Sequence, residues 1–237
     1  MEKNAIAIIT ARGGSKRIPK KNIRPFCGKS IIYYSIKAAL DSHIFDTVMV
    51  STDDEQIAVF SKSMGAEVPF MRSERTSDDY STTEDVIDEV LYEYQIRGVD
   101  YKFICNIYPT APFISVDKLQ EAFRILLNEE CDSVFPVVQF SFPPQRGLII
   151  KNNHLYPLSE VDYQKRSQDL EPVFHDSGQF YFFKAEMFKR CHSVVTNSMP
   201  IIVDELEVQD IDDETDWEIA EIKYNYFRLK NCLKEEL

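Results

Sequence analysis

The 237-residue sequence has no apolar run approaching the roughly 20 residues a helix needs to cross a bilayer, so no membrane span is expected. Its five cysteines (Cys27, Cys105, Cys131, Cys191 and Cys232) are scattered, odd in number and without C-x-x-C spacing. That pattern sets aside structural zinc and a disulfide framework, and makes a reducing cytoplasm the expected compartment. The start carries charge and passes straight into an apolar segment, unlike a secretory leader. Internal repeats and low-complexity tracts are missing as well. A pI near 4.9 leaves no broad basic face for duplex nucleic acid.

The most informative absence is local. No carboxylate occurs between Lys3 and Asp41, whereas residues 5–40 carry eight basic side chains. The whole chain carries −12, so the rest of it holds about −20. Six of the cations, Arg12, Lys16, Arg17, Lys20, Lys21 and Arg24, fall within thirteen residues around Gly13-Gly14-Ser15. Like charges at that density repel one another unless an anion sits among them. Small residues at the turn let the backbone approach a ligand and point N–H groups at it. A nucleoside triphosphate is the natural candidate. The turn matches neither familiar phosphate fingerprint: no glycine lies five positions before Gly14, and G-x-G-x-x-G is absent. A single-stranded nucleic acid fits poorly, because the basic segment is short and has no interleaved aromatics.

The remaining pattern alternates strand and helix. Ala5–Ile9 is predicted as a buried strand, Ser30–Leu40 as a helix, Thr47–Ser51 as a strand, and Asp54–Met64 as a helix closed by Gly65. Ala66–Phe70 reads as a further strand. Ser81-Thr-Thr-Glu84 has capping-box spacing and opens a helix to about Ile96. Lys102–Ile107, a Pro109–Pro112 turn, a helix at Ser115–Asn128 and a strand at Asp132–Phe140 continue the rhythm. It breaks over 141–175, an excursion with short strands of its own, and resumes with a strand at Gln179–Phe183 and a helix at Ala185–Cys191. A strand at Ile201–Val203, an acidic loop at Val208–Asp213 and a long helix from Thr215 follow. One α/β domain over 1–237 is expected, with a mostly parallel sheet covered on both faces and an inserted lobe whose commonest use is a subunit contact.

Two other segments carry chemistry. Asp210 and Asp212, at i and i+2 of an extended segment, point to one side, and two hard oxygen ligands completed by water and phosphate suit Mg²⁺. The competing explanation is an acidic start for the last helix, which on this segment alone is the better of the two and which Asp213 in any case fits. Arg146 and Arg166 could each grip a carboxylate with two parallel hydrogen bonds, or could simply make surface salt bridges in an acidic lobe. His175 could titrate near neutrality, but a lone histidine is more often a hydrogen-bonding residue.

In order along the chain, Ala7-Ile-Ile-Thr-Ala-Arg-Gly-Gly-Ser-Lys-Arg-Ile-Pro-Lys-Lys-Asn22, Ser51-Thr-Asp-Asp, Pro109-Thr-Ala-Pro112, Arg166-x-Gln-Asp169 and Gln209-Asp-Ile-Asp212 resemble the CMP-sialic acid synthetases. These are the acylneuraminate cytidylyltransferases, which activate nine-carbon acidic sugars. Pro144-Gln-Arg146, Arg166-Ser-Gln-Asp-Leu170 and His175-Asp-Ser-Gly-Gln-Phe-Tyr181 look most like the pseudaminic acid branch. Tyr108 stands where the sialic acid branch typically has Gln, and Ser177-Gly-Gln179 where it typically has Asn-Gly-Ala.

The resemblance implies a Rossmann-like α/β fold of the nucleotide-diphospho-sugar transferase type, with 141–175 as a dimerisation lobe of a homodimer. It implies condensation of CTP with a nonulosonic acid, most of all pseudaminic acid, with N-acetylneuraminic or legionaminic acid as alternatives. It puts the nucleotide against Ala11, Arg12, Gly13, Gly14, Ser15, Lys16, Lys21, Asn22 and Arg72, with Asn22 and Arg72 near the cytidine. The glycine N–H groups, Arg12, Ser15 and Lys21 would neutralise the leaving pyrophosphate. It makes Asp210 and Asp212 the Mg²⁺ ligands, and Arg12, Lys21 and that aspartate pair the catalytic set. It puts the sugar against Tyr108, Gln145, Arg146, Arg166, Gln168, Asp169, His175 and Gln179, with Arg166 reaching the partner's nucleotide pocket. The product is expected in bacterial surface glycans or glycosylated flagellin. A reading from another class is a CTP-binding sensor or assembly subunit without catalysis.

Overall fold

Every residue of β1 (Ala5–Thr10) up to Ile9 is buried, and its side chains alternate between two hydrophobic clusters. Ala5, Ala7 and Ile9 face one cluster, Ile6 and Ile8 the other. A strand that is apolar on both sides must be covered on both faces, which is the layout of a largely parallel sheet wrapped by helices. The computed structural model of the chain describes residues 4–235 and has that layout.

After β1 come a tiny hairpin of β2 (Pro25–Phe26) and β3 (Lys29–Ser30), α1 (Ile31–Asp41), β4 (Thr47–Ser51), α2 (Glu55–Ser63) and α3 (Thr83–Gln95). Next are β5 (Phe103–Ile107), α4 (Val116–Asn128), β6 (Ser133–Gln139), the hairpin β7 (Leu148–Lys151) and β8 (His154–Pro157), and the single turn α5 (Glu160–Tyr163). The chain closes with β9 (Phe174–Asp176), β10 (Phe180–Lys184), α6 (Ala185–Cys191), β11 (Ser198–Ile202) and α7 (Glu214–Glu235). The central sheet runs β11-β6-β10-β5-β1-β4, with β9 also on β6. β1 is parallel to β4 and β5, and β11 to β6, whereas β10 is antiparallel to both neighbours.

Residues from α1, α2 and α4 (Ile36, Ile57, Leu119) fill one cluster; residues from α3 and α6 (Ile87, Val90, Phe188) fill the other. A third cluster joins Ile18 and Phe26 to Ile211 and Trp217, tying the segment after β1 to the start of α7. Among the described residues, no helix is long and apolar enough to cross a membrane.

Two elements differ from expectation. Residues 66–70 form no strand: Glu67 alone bridges to β4, exchanging Glu67 N–H to Val48 O (2.8 Å) and Val50 N–H to Glu67 O (2.9 Å). Pro69 has no N–H to continue that ladder. The capping box exists one residue later, with Thr82 and Asp85 as its reciprocal pair. Ser81 is unavailable, its hydroxyl bonding Asp78 Oδ1 (2.6 Å) and Arg75 O (3.0 Å).

Over 141–175 the expected excursion is present. β7 and β8 pair only with each other, through Asn152 and Asn153, both left-handed at φ 50° and 61°. Two successive positive φ values make the tight turn that matches strand twist, and asparagine tolerates them.

Candidate active site

The segment after β1 is fixed to the end of β4. Ala11 N–H extends the ladder to Ser51 O (2.9 Å), and Gly13 N–H donates to Asp53 Oδ1 (2.8 Å). A Cβ on Gly13 would stand 2.8 Å from the Cβ of Asp54, so only glycine fits, whereas Gly14 has nothing within 4 Å of its Cβ direction. The expected phosphate cradle of two glycine amides is therefore corrected: the Gly13 amide is engaged by a carboxylate, and its glycine serves close packing. Ala11 is buried and contributes backbone to the sheet.

A pocket of about 520 Å³ opens beside this loop, lined by Arg12, Ser15, Lys16, Arg17, Lys21, Asn22, Arg72, Tyr108 and Asp212 among others. Four of the six clustered cations line it. Lys20 and Arg24 turn away: Lys20 Nζ donates to Gln56 Oε1 (3.0 Å), and Arg24 holds Glu214 (2.6 Å) and stacks over Trp217 at 4.5 Å. Those two brace the loop against α2 and α7. Asn22 is buried and its amide donates to Arg12 O (2.9 Å), so it holds the loop as well as lining the pocket.

Arg72 is the buried cation of the site. Its Nε donates to Ser51 Oγ (3.0 Å) and its Nη2 to Ser51 O (2.6 Å), which leaves Nη1 for the pocket. Burial pushes its pKa down to about 10, against the opposing pull of Asp53 and Glu89, so it stays charged at neutral pH.

Across the pocket, Asp78 and Asp79 meet the loop. Arg12 Nη1 donates to Asp78 O (2.7 Å) and pairs with Asp79 (3.0 Å), and Lys16 pairs with the same carboxylate. Sequence reasoning passed over this acidic pair, although a basic loop needing an anion was the signal for it. Exposed pairs of this kind contribute only ~0.2–1 kcal/mol each, so a triphosphate with several charges can displace them.

The aspartates before α7 divide their work. Asp213 and Asp216 cap the helix reciprocally, Asp216 N–H to Asp213 Oδ1 (3.0 Å) and Asp213 N–H to Asp216 Oδ2 (3.1 Å). Asp210 and Asp212 are thus left for other work beside the pocket. Asp212 pairs with Arg17 (2.7 Å), and Lys21 Nζ donates to Ile211 O (2.5 Å). Burial and then the charge of Asp212 raise the Asp210 carboxyl, and burial lowers Lys21. Among the described residues no group of three or more His, Cys, Asp or Glu side chains could hold an ion. A cation at Asp210 and Asp212 would complete its shell with oxygens that are not protein side chains, as Mg²⁺ commonly does.

Of the residues assigned to the sugar, Tyr108 lines the pocket; its hydroxyl meets Thr83 and its ring stands edge-on to Tyr181 at 6.1 Å. Gln179 is buried, does not line the pocket, and its amide donates to Glu207 O (2.6 Å). The other six do not reach the pocket of their own chain. Gln145 donates to Glu171 O (2.8 Å), Arg146 to Ser167 Oγ (2.9 Å), and Arg166 pairs with Asp169 (2.8 Å). Gln168 is exposed, and His175 lies against Phe140 at 4.6 Å. All six belong to the lobe beyond β6, where the side-chain bonds of Gln145, Arg146, Arg166 and Asp169 stay within the lobe and β9 joins it to β6.

The cytidylyltransferase family model matches residues 6–198. The chain belongs to that family. It is a nucleotidyltransferase by class, and its pocket at the carboxyl ends of β1 and β4 is where four of the clustered cations gather. The chain is 38% identical over 221 residues to a pseudaminic acid cytidylyltransferase of Campylobacter jejuni, covering 92% of this chain and 95% of that protein. It is 31% identical to a CMP-N,N'-diacetyllegionaminic acid synthase of Legionella pneumophila (91% and 94% covered). It is 34% identical to an N-acylneuraminate cytidylyltransferase A of Danio rerio, covering 93% of this chain and 51% of that one. Among solved structures, a CMP:2-keto-3-deoxy-manno-octonic acid synthetase complexed with CTP superposes with a TM-score of 0.65 at 15% identity, over 98% of this chain and 99% of that one. A 4-diphosphocytidyl-2C-methyl-D-erythritol synthase from Anaerococcus prevotii gives 0.60 at 13% identity, over 93% and 98%. The cytidylyltransferase thus has the nucleotide-diphospho-sugar transferase fold.

Proposed function

We propose that this cytidylyltransferase condenses CTP with pseudaminic acid to give CMP-pseudaminic acid and pyrophosphate. The observation that carries the reading is the pocket itself: four cations at its mouth for a triphosphate and one buried guanidinium, Arg72, for a base. Likeness to the Campylobacter jejuni enzyme over nearly the whole chain supports the choice of sugar. The anomeric hydroxyl attacks the α-phosphorus in line, the bond to the β-phosphate bridging oxygen breaks, and pyrophosphate and a proton are released. Arg12, Ser15, Lys16 and Lys21 neutralise the charge that builds on the leaving group. Arg72 and Asn22 border the cytidine.

Asp210 and Asp212 are the residues that would hold Mg²⁺, which when bound offsets phosphate charge. A second copy of the chain completes the sugar site in this reading. The lobe exposes Ile150, Leu155, Leu158 and Val161, an apolar face suited to a homodimer contact. Arg166, three-quarters exposed as a side chain, would there grip the sugar carboxylate at the partner's pocket. The described cysteines are unpaired, in keeping with a cytoplasmic enzyme.

The test is pyrophosphate release from CTP and Mg²⁺ with pseudaminic, legionaminic and N-acetylneuraminic acids offered separately. Preferential turnover of pseudaminic acid is expected. Preference for another of the three overturns the sugar assignment and keeps the chemistry. CTP binding with no turnover of any of them would favour the sensor.

A further inference from the structure

Arg72 reaches the pocket from residues 71–82, a segment whose only regular element is the short 3₁₀ turn Glu74–Thr76. A buried guanidinium on so irregular a segment needs fixing from more than one side. The end of β4 supplies one side through Ser51, and the next residue through the bond from Arg72 N–H to Thr52 O (2.8 Å). The other side comes from α3. Glu89 sits on the core-facing side of that helix beside Val86 and Val90, and is only 8% exposed. Its carboxylate accepts from Ser73 N–H (2.8 Å), from Ser73 Oγ (2.7 Å) and from Thr76 Oγ1. A carboxylate this buried is unfavourable unless donors satisfy it. The donors are Ser73, next to Arg72 and the N-cap of that turn, and Thr76 within it, and the Glu89 charge also attracts the Arg72 guanidinium.

We propose that Glu89 is a positioning residue for base selection: by clamping Ser73 and Thr76 it fixes Arg72 at the pocket wall, where the guanidinium meets the acceptor edge of cytosine. The proposal rests on the CTP reading above. Arginine offers donors only. Cytosine presents O2 and N3 as adjacent acceptors, whereas N3 of uracil carries a hydrogen that would face another donor. A guanidinium held in place penalises the mismatch, and one free to swing away does not. The sugar and phosphates of the two nucleotides are identical, so the clamp acts on discrimination and leaves phosphate binding alone.

Calorimetric titration of CTP and of UTP, without sugar, into wild type, Glu89→Gln, Thr76→Val and Thr76→Ser tests this, with the melting temperature of each variant recorded. Glu89→Gln is expected to lower the ratio of CTP to UTP affinity by about tenfold, mainly by weakening CTP. Thr76→Val, isosteric and short of one donor, should lower the same ratio by a smaller factor, and Thr76→Ser should restore it. In steady-state assays KM for CTP should rise while KM for the sugar stays within about twofold of wild type. An unchanged ratio in folded Glu89→Gln, or equal weakening of both nucleotides in Thr76→Val, overturns the role of Glu89. A wild-type protein that binds UTP as tightly as CTP overturns the nucleotide reading itself and the proposal with it.

Discussion

Around the pocket, polar side chains bond across long stretches of sequence: Arg17 to Asp212, Lys21 to Ile211, Arg12 to Asp78. In the lobe at 141–175 side chains bond partners within the lobe, many of them near at hand (Arg166 with Asp169, Lys165 with Asp162, His154 with Asn152) and the others at most 26 residues away (Gln145 with Glu171). Burial differs in the same sense. Arg72, Asn22 and Thr76 are enclosed at the pocket, whereas β7 and β8 show Ile150 and Leu155 to solvent at 73% and 64% exposure. A region whose polar groups are tied to distant segments is completed by its own chain. A region of local bonds and exposed apolar side chains is completed by something else, and a second copy is the reading proposed above. Substitutions in the two regions should therefore fail in different ways, the first in catalysis and the second in assembly or sugar binding.

The adjacent glycines give the largest expected contrast. Gly13→Ala puts a Cβ into Asp54 and must shift the loop, so kcat/KM is expected to fall about a hundredfold or more. Gly14→Ala meets nothing within 4 Å and should stay within about threefold. Similar losses in both would mean that the loop needs flexibility at each glycine and not close packing at one.

In the lobe, Arg166→Ala is expected to raise KM for the sugar about tenfold or more while KM for CTP is held, since a lost charged hydrogen-bonding partner costs ~2–3 kcal/mol. Equal effects on both substrates would place Arg166 elsewhere. Ile150→Asp removes an apolar side chain that its own chain does not cover, so the melting temperature of the monomer should move little. Light scattering is expected to show the proposed dimer in wild type and its loss in the variant, and an unchanged mass would free the lobe of the assembly role.

The smallest effect has the opposite sign. Asp79→Asn releases Arg12 and Lys16 from an internal competitor, so CTP should bind about two- to threefold more tightly. Weaker binding would mean that Asp79 holds the loop in its competent shape.

Much of the fold was legible because its signals are local. Ala5–Ile9, Thr47–Ser51 and the helix from Ala185 to Cys191 announce themselves by unbroken apolar runs or helical spacing, and the structure has them within a residue. By spacing Ser81 begins α3, yet Asp78, folded back onto Ser81, leaves the cap to Thr82. Glu89 went unnoticed in the sequence, because its partners lie thirteen and sixteen residues earlier and only the fold brings them to it. Gln179 was assigned to the sugar through the resemblance of His175–Tyr181 to the pseudaminic acid branch, and in the fold its amide turns to Glu207.

The sequence by itself determined most of the order of strands and helices, the acid-free cationic loop after β1 and the break in rhythm at 141–175, because periodicity and charge density are properties of neighbouring residues. Tertiary structure alone decided that Lys20 and Arg24 leave the cation cluster and that Asp53 takes the Gly13 amide. Each of those outcomes is a competition among donors and acceptors that meet only when the chain has closed a loop of tens to hundreds of residues.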